Sequence, residues 1–472
     1  MEENKEIITE NTTENTTENT QENPLGVLPE GELLRKFAVP SIIAMLVGSL
    51  YNIVDQFFIG QSVGELGNAA TNVVYPFTIA CLSLALLLGV GGAAAFNLSM
   101  GRGDTKDAGK YVGNAIVTVE ILGVIMMILT LCFTRPLLLF FGSPENVLPL
   151  AMTYARICAL GYPAFMLTSA GANLIRADGS PRMTMTINIT GAVTNTILDA
   201  LFVFGFGWGI AGAAWATIIG QYVTAVMVIR YMLKFKTVKL DGSCFKPDLA
   251  IIQKDASLGT SNFITQASIM IFQIVMNKSL KYYGGLSEYG ESIPIACAGI
   301  VTKLFQVLFS VVIGTSQGLQ PIASFNYGAK KYQRVRTAYN KALLVGLFVC
   351  IIAFGLFQLF PRQLLSIFGS GSELYYEFGV KYFRIYMFFI FIAFIQPITA
   401  NFFAAIGKPG KGAFLSLTRQ ILYLVPMILI LPLFFGINGI LYAGPVADLA
   451  AFITCEAMIF YEMSHPEWKK QQ

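Results

Sequence analysis

Histidine is nearly absent: the one copy in 472 residues is His465, close to the end of the chain. That removes histidine as a general base, as a partner to a nucleophile and as a metal ligand, and with it most enzyme mechanisms. Charge is scarce as well. Asp, Glu, Lys and Arg make up 13% of the chain, 55% is hydrophobic and the mean hydropathy is +0.62; soluble domains carry about 25% charge. The seven cysteines, at 81, 132, 158, 244, 297, 350 and 455, have neither paired nor metal-like spacing, which leaves them a packing role. Nucleotide loops are missing too. Gly89-Val90-Gly91-Gly92 follows no strand, and the stretch from Gly103 to Lys110 is followed by Tyr111 where a phosphate loop needs Ser or Thr. The expectation is no enzyme, no cofactor and no nucleic-acid partner.

What the chain does contain is apolar runs long enough to cross the bilayer, which takes about 20 residues. Twelve are found, near 38–60, 69–97, 111–133, 149–175, 183–205, 211–233, 257–280, 294–325, 338–360, 382–405, 413–435 and 437–462. With 44 glycines and few β-like alternations, helices are the spanning element. The fold class expected is therefore an all-α polytopic membrane protein with twelve transmembrane helices.

Lys and Arg crowd alternate connections. Those after the even-numbered runs hold Arg102, Lys106 and Lys110; Arg176 and Arg182; Arg230, Lys234, Lys236, Lys239, Lys246 and Lys254; Lys330, Lys331, Arg334, Arg336 and Lys341; and Lys408, Lys411 and Arg419. The intervening connections hold far fewer, Arg135, Lys278, Lys281 and Arg362. By the positive-inside rule the rich connections and both termini face the cytoplasm. The first 32 residues contain nine Glu and one Lys, with Thr-Glu-Asn-Thr at 9–12, 13–16 and 17–20. This segment is expected to be disordered, and it has no signal-peptide pattern.

The chain also reads twice. Gly101 closes "AAAFNLSMG" and Gly328 closes "PIASFNYG", 227 residues on. Phe141-Gly142-Ser143 recurs as Phe368-Gly369-Ser370, Tyr154-Ala155-Arg156-Ile157 as Tyr382-Phe383-Arg384-Ile385, Gly179-Ser180-Pro181 as Gly407-Lys408-Pro409, and Gly209-Ile210-Ala211-Gly212 as Gly436-Ile437-Asn438-Gly439. Two copies of one unit divide the chain into a cytoplasmic tail at 1–31, an N-lobe at 32–235, an inter-lobe linker at 236–255, a C-lobe at 256–462 and a cytoplasmic C-terminal tail at 463–472. In an apolar chain, paired halves are the usual build of a transporter, with the substrate cavity between them.

Charges inside apolar runs each need a reason, because a carboxylate at mid-membrane costs at least about 2.5 kcal/mol. Asp55 lies in the first run, with Tyr51 four residues and Asn52 three residues before it; Asp199 lies in the fifth, with Asn195 one turn before it. Two neighbouring carboxylates away from water can share a proton, or hold Na⁺ among oxygen ligands. The repeat sets Asp55 against Gln273 and Asp199 against Met427, so the second half lacks both acids and the site is confined to the first. Glu120 in the third run is a candidate auxiliary residue or a structural one. Lys303 in the eighth either snorkels outward or lines the cavity. Asp448 in the twelfth falls where the repeat puts Gln221, so both are candidate cavity linings.

The phrases "LYNIVDQFFIG", "FNLSMGRGDTKDAGKYVGNA", "RADGSPRMTM" and "NTILDALFVFGFGWGIAGAAWATIIGQ" resemble the multidrug and toxic compound extrusion (MATE) family, its MepA-like bacterial branch, over about residues 32–460. The resemblance implies two six-helix lobes related by a pseudo-twofold axis, and exchange of lipophilic, often cationic drugs for external H⁺ or Na⁺. It also implies that Asp55 and Asp199 couple the ion, with Tyr51, Asn173, Asn195 and Thr217 completing their polar cluster. Some members carry acids in helices 7 and 10; this chain has Gln266, Gln273, Gln396 and Asn401 there instead. With no ATP-binding motif, uphill transport must draw on an ion gradient. The function expected is multidrug antiport by alternating access, in a monomer spanning the bacterial plasma membrane. The alternative is a lipid-linked precursor flippase of the wider superfamily. No metal site is expected beyond Na⁺ at the two acids.

Overall fold

The computed structural model describes residues 23–472 except 64, 142, 144, 146, 367–371, 466, 467 and 469–472, and leaves out the side chains of 56, 65, 68, 106 and 292. Most of the predicted N-terminal tail, the second Phe-Gly-Ser phrase and much of the predicted C-terminal tail fall outside these residues. Among those described there is no strand. Twelve helical rods carry the chain: α1 Glu30–Val63, α2 Glu65–Arg102, α3 Thr105–Phe140, α4 Leu148–Leu160 with Tyr162–Ala177, α5 Pro181–Gly205 and α6 Gly209–Met232 in the first half. The second half has α7 Leu249–Gly285, α8 Ser292–Gly328, α9 Tyr332–Leu359, α10 Glu373–Ala405, α11 Pro409–Phe435 and α12 Ile437–Met463.

By length and hydropathy, ten of the helices among the described residues can cross a bilayer, and the two pieces of α4, bent by 55° at Gly161, make an eleventh span. The twelfth rod, α7, is 37 residues long and packs along α2, with Lys254, Asp255, Lys278 and Lys281 lowering its hydropathy. The layout fits the twelve predicted spans. Several rods outrun their apolar runs because polar residues extend and cap them. Asp104 accepts from Asp107 N to start α3, Asp248 from Ala250 N to start α7, and Ser372 from Tyr375 N to start α10.

The repeat survives in the backbone. Gly179 and Gly407, its counterpart, both have φ of +78°, and Gly209 and Gly436 have φ of +54° and +58°. Each pair makes the same left-handed turn that a side chain disfavours.

The lobes meet along two crossings, α2 with α7 and α1 with α8. Both are built on glycine, because the backbones touch there. A Cβ on Gly91 would lie 1.8 Å from the Asp255 carbonyl oxygen, and one on Gly259 equally close to that of Leu87. Gly314 and Gly318 of α8 sit against Ile42 and Ala38 of α1. Between the crossings, a Cβ on Gly101 would meet the Phe325 carbonyl at 2.1 Å, and one on Gly328 the Leu98 carbonyl at 2.4 Å. These are the same contact made twice, as a pseudo-twofold axis requires. Gln320 Nε2 donates to the Val90 carbonyl across the same seam.

The seam lies toward the end of the molecule that carries both termini. Trp468 packs on Tyr327, Tyr332 and Phe402 there, and Asn326 donates to the Leu25 carbonyl. Residues 24–27, predicted as tail, form a helical turn held to the C-lobe by Lys331 on the Gly26 carbonyl and Arg334 on that of Leu28. Leu33, Leu34, Phe37 and Ala38 of α1 likewise bury themselves among Val312, Leu319, Ile322 and Tyr339 of the C-lobe.

At the same end Asp178, in the turn after α4, holds the connection between the lobes. Its carboxylate accepts from Tyr231 OH at 2.7 Å, from the Lys236 and Thr237 amides at 2.8 Å each and from the Thr237 hydroxyl. Asn114 adds a bond to the Cys244 carbonyl and one from Asp248 N. Charged hydrogen bonds contribute about 1.5–3 kcal/mol each. Asp178→Ala should therefore lower the thermal unfolding midpoint in detergent and open residues 233–248 to protease, and an unchanged cleavage pattern would remove Asp178 from this role.

Candidate functional site

In the outward half of α1, Tyr51 and Asp55 lie one turn apart and both point into the N-lobe, toward α5 and α6. The Asp55 and Asp199 carboxyl groups there lie within hydrogen-bonding reach of each other. Asp199 is fully buried, at 0% exposure. No N–H or hydroxyl donor reaches Asp55 Oδ1 or either oxygen of Asp199. Two carboxylates placed this way repel unless something positive lies between them, so a bond from one to the other needs a proton carried by one of the pair, or a bound cation.

The polar shell is built from neighbouring turns. Tyr51 lies beside the Thr217 hydroxyl, to which Asn195 Nδ2 donates at 3.2 Å. Asn195 Oδ1 is buried without a donor, which adds a fourth free oxygen to the site. Thus five of the six residues expected to form the cluster come together: Asp55, Asp199, Tyr51, Asn195 and Thr217. Asn173 is buried near the C-terminal end of α4, apart from the cluster; its Nδ2 donates to the Ser169 carbonyl and its Oδ1 accepts from Arg176 Nη1 at 2.9 Å.

Tyr154 and Cys158 of α4 also belong to the surroundings of Asp55. They lie one turn apart on the same face, and Tyr154 packs with Ile59, Val203 and Ala213. The sequence held one signal for Tyr154, its place in the repeated Tyr-x-Arg-Ile phrase. Gln221 points its buried Oε1 at the bend of α4, where a Cβ on Gly161 would lie 2.3 Å away. Glu120 on α3 is half-buried and belongs to none of the ion pairs among the described residues.

Asp448 has a definite partner. Its Oδ1 receives Arg419 Nε at 2.6 Å in a buried ion pair between α11 and α12. The sequence reading puts Arg419 in a cytoplasmic connection; it lies instead inside α11, and its charge neutralises Asp448. Removing one member of a buried pair costs about 3–5 kcal/mol, whereas replacing both with apolar groups is often neutral. Asp448→Asn should therefore lower the unfolding midpoint sharply, and Asp448→Leu with Arg419→Leu should restore much of it. Additive losses in the double variant would overturn that account.

Sequence reasoning missed further buried charges, among them Arg176 and Asp255. Arg176, also assigned to a connection, is 3% exposed, and its Nε lacks an acceptor. Asp255 is 0% exposed in α7 at the seam, with both carboxyl oxygens lacking a donor. Its neighbour Lys254 donates instead to Tyr111 OH at 2.7 Å. No group of three or more His, Cys, Asp or Glu capable of holding a metal occurs among the described residues.

Two repeat-related helical lobes, joined along a glycine seam at one end, have the build of a membrane transporter. Comparison with known proteins agrees. The MatE family model matches residues 40–201 and 263–430. The chain belongs to the MatE family, and it is a multi-pass membrane transporter, not an enzyme. It is 26% identical over 444 residues to the FAD transporter of Shewanella oneidensis, covering 90% of this chain and 94% of that one. It is 22% identical over 434 residues to the multidrug export protein MepA of Staphylococcus aureus, covering 92% and 94%. Its fold superposes on the MATE multidrug transporter DinF-BH, solved in complex with rhodamine 6G, with a TM-score of 0.87, 30% identity and coverage of 96% and 99%.

Proposed function

We propose that this chain is an antiporter that exports lipophilic organic compounds in exchange for H⁺ or Na⁺. The observation that carries the reading is the Asp55–Asp199 pair: a half-buried and a fully buried carboxyl group side by side, three of whose four oxygens are buried with no protein donor. A proton, or a Na⁺ held with Asn195 Oδ1, satisfies them; its departure leaves two charges that must separate or be neutralised again. The position of Asp55 on α1 gives that event a lever. The same helix carries Asp55 in its outward half and the seam with α8 in its other half, so a change at the acids is felt where the lobes meet. Ion entry from one side and substrate release to it, then the reverse with the seam open, is alternating access.

The names of the relatives, multidrug export protein and MATE multidrug transporter, support organic substrates of varied shape. The distribution of Lys and Arg supports cytoplasmic termini, and the bacterial relatives support a plasma membrane; the working unit is read as a monomer. The test is flux in proteoliposomes. Rhodamine 6G is loaded, and an opposing pH or Na⁺ gradient is imposed. Gradient-driven movement is expected, and the effective gradient names the ion. Folded protein that moves no dye under either gradient would overturn the reading and move the lipid flippase to first place.

A further inference from the structure

The two lobes leave a pocket immediately outward of the seam. It is lined by Ser49, Asn52 and Ile53 of α1 and by Lys303, Gln306 and Val307 of α8, and holds about 70 Å³. Its floor is a hydrogen bond between lobes, Ser49 Oγ to Ser310 Oγ at 2.6 Å. Lys303 lies seven residues outward of Ser310, roughly 10 Å along α8. The pocket therefore sits where the lobes begin to part, at the level where a rocking carrier holds its substrate.

The charge there is positive. Lys303 is the one charged residue lining the pocket, is exposed, and joins none of the ion pairs among the described residues. Asp55 does not answer it, because α1 turns Tyr51 and Asp55 toward Thr217 and Asp199 and presents Ser49, Asn52 and Ile53 to the pocket. The coupling acids and the pocket thus occupy different faces of one helix. A cationic group lowered to this floor meets an ammonium; an anionic group gains a charge-assisted hydrogen bond. Beside Lys303, the Gln306 amide and the Ser49 hydroxyl supply further polar contacts. A water takes about 30 Å³ of liquid, so the pocket takes a carboxylate or phosphate and leaves the body of the molecule in the cleft above.

We propose that this pocket is an anion subsite, and that the organic molecule carried by this protein docks a phosphate or carboxylate on Lys303. The inference rests on the transport reading and narrows its substrate class. The anion belongs either to a soluble metabolite or to a lipid head group, and the two sources are separable.

The experiment uses riboflavin and riboflavin 5′-phosphate, which share a ring and differ by one phosphate, titrated by flavin fluorescence into purified protein in uncharged detergent. Wild type should bind the phosphate ester at least about tenfold more tightly, the worth of one charged contact. Lys303→Gln should bring the two affinities close together, and Lys303→Arg should keep most of the preference. Equal affinities in wild type, or a preference unchanged in Lys303→Gln, would overturn the proposal. Displacement of the ester by short-chain phosphatidic acid but not by phosphatidylcholine would assign the subsite to a lipid phosphate. No displacement by either would assign it to a soluble anion; the subsite stands in both cases. If the preference is absent while rhodamine 6G flux persists, the subsite fails and the transporter reading stands. A preference without any gradient-driven flux does the reverse.

Discussion

Asp55→Asn should abolish gradient-driven rhodamine 6G flux, leaving the rate of protein-free vesicles and a loss of more than about tenfold, or 1.4 kcal/mol. The amide has nearly the shape of the acid but cannot take up or release a proton, and it cannot balance the charge of Na⁺. Coupling is therefore removed, not weakened. Asp199→Asn should behave alike, since Asp199 is fully buried and both its oxygens face the site without a donor. Thr217→Ala is the milder comparison. It removes the hydroxyl beside Tyr51 that accepts from Asn195 but leaves both acids, so flux should fall only a few-fold. Each variant must first elute as a monodisperse species of wild-type size. Full flux in Asp55→Asn would exclude it from coupling.

Gly259→Ala should be nearly as damaging, for a steric reason. Its Cβ would lie 1.8 Å from the Leu87 carbonyl oxygen, and backbone cannot step aside as a side chain can. The α2–α7 crossing must open. Overpacking of this kind costs about 1–3 kcal/mol, enough to shift a two-state equilibrium about 5- to 150-fold toward the state in which the seam is apart. Hydrogen exchange should rise in residues 87–101 and flux should fall. Gly355→Ala is the control, because a Cβ there meets nothing within 4 Å. If Gly259→Ala exchanges like wild type, the seam does not close as tightly as described.

Much of this was legible in the chain. Apolar runs separated by Gly and Pro located the spans, and paired phrases such as Gly179-Ser180-Pro181 and Gly407-Lys408-Pro409 foretold matching turns, which the equal φ values bear out. The acids of α1 and α5 stand out because charge in an apolar run is costly. What hydropathy could not see was charge buried by partners distant in sequence. Arg419 reads as a loop residue until Asp448 is found beside it, 29 positions on. Asp255 falls just before its apolar run, so hydropathy begins that span at 257 while α7 starts at Leu249. The bend at Gly161 was equally hidden, since its two pieces have similar composition. Asp178 stood in a quoted motif without a role until the linker bonds were known. Lys303 had two readings, and only the position of α1 opposite it separates them.

The two halves of the seam are not chemical equals. At the offset that pairs Asp55 with Gln273, Asp255 takes the place of Phe37, which lies buried against the C-lobe. Parting α1 from α8 uncovers Phe37, Ala38 and Ile42, apolar surface that water receives poorly. Parting α2 from α7 uncovers a carboxyl group that water solvates well. One side of the closure resists wetting and the other invites it. The lobes thus meet along a greasy edge at α1–α8 and an edge at α2–α7 that water can more readily enter.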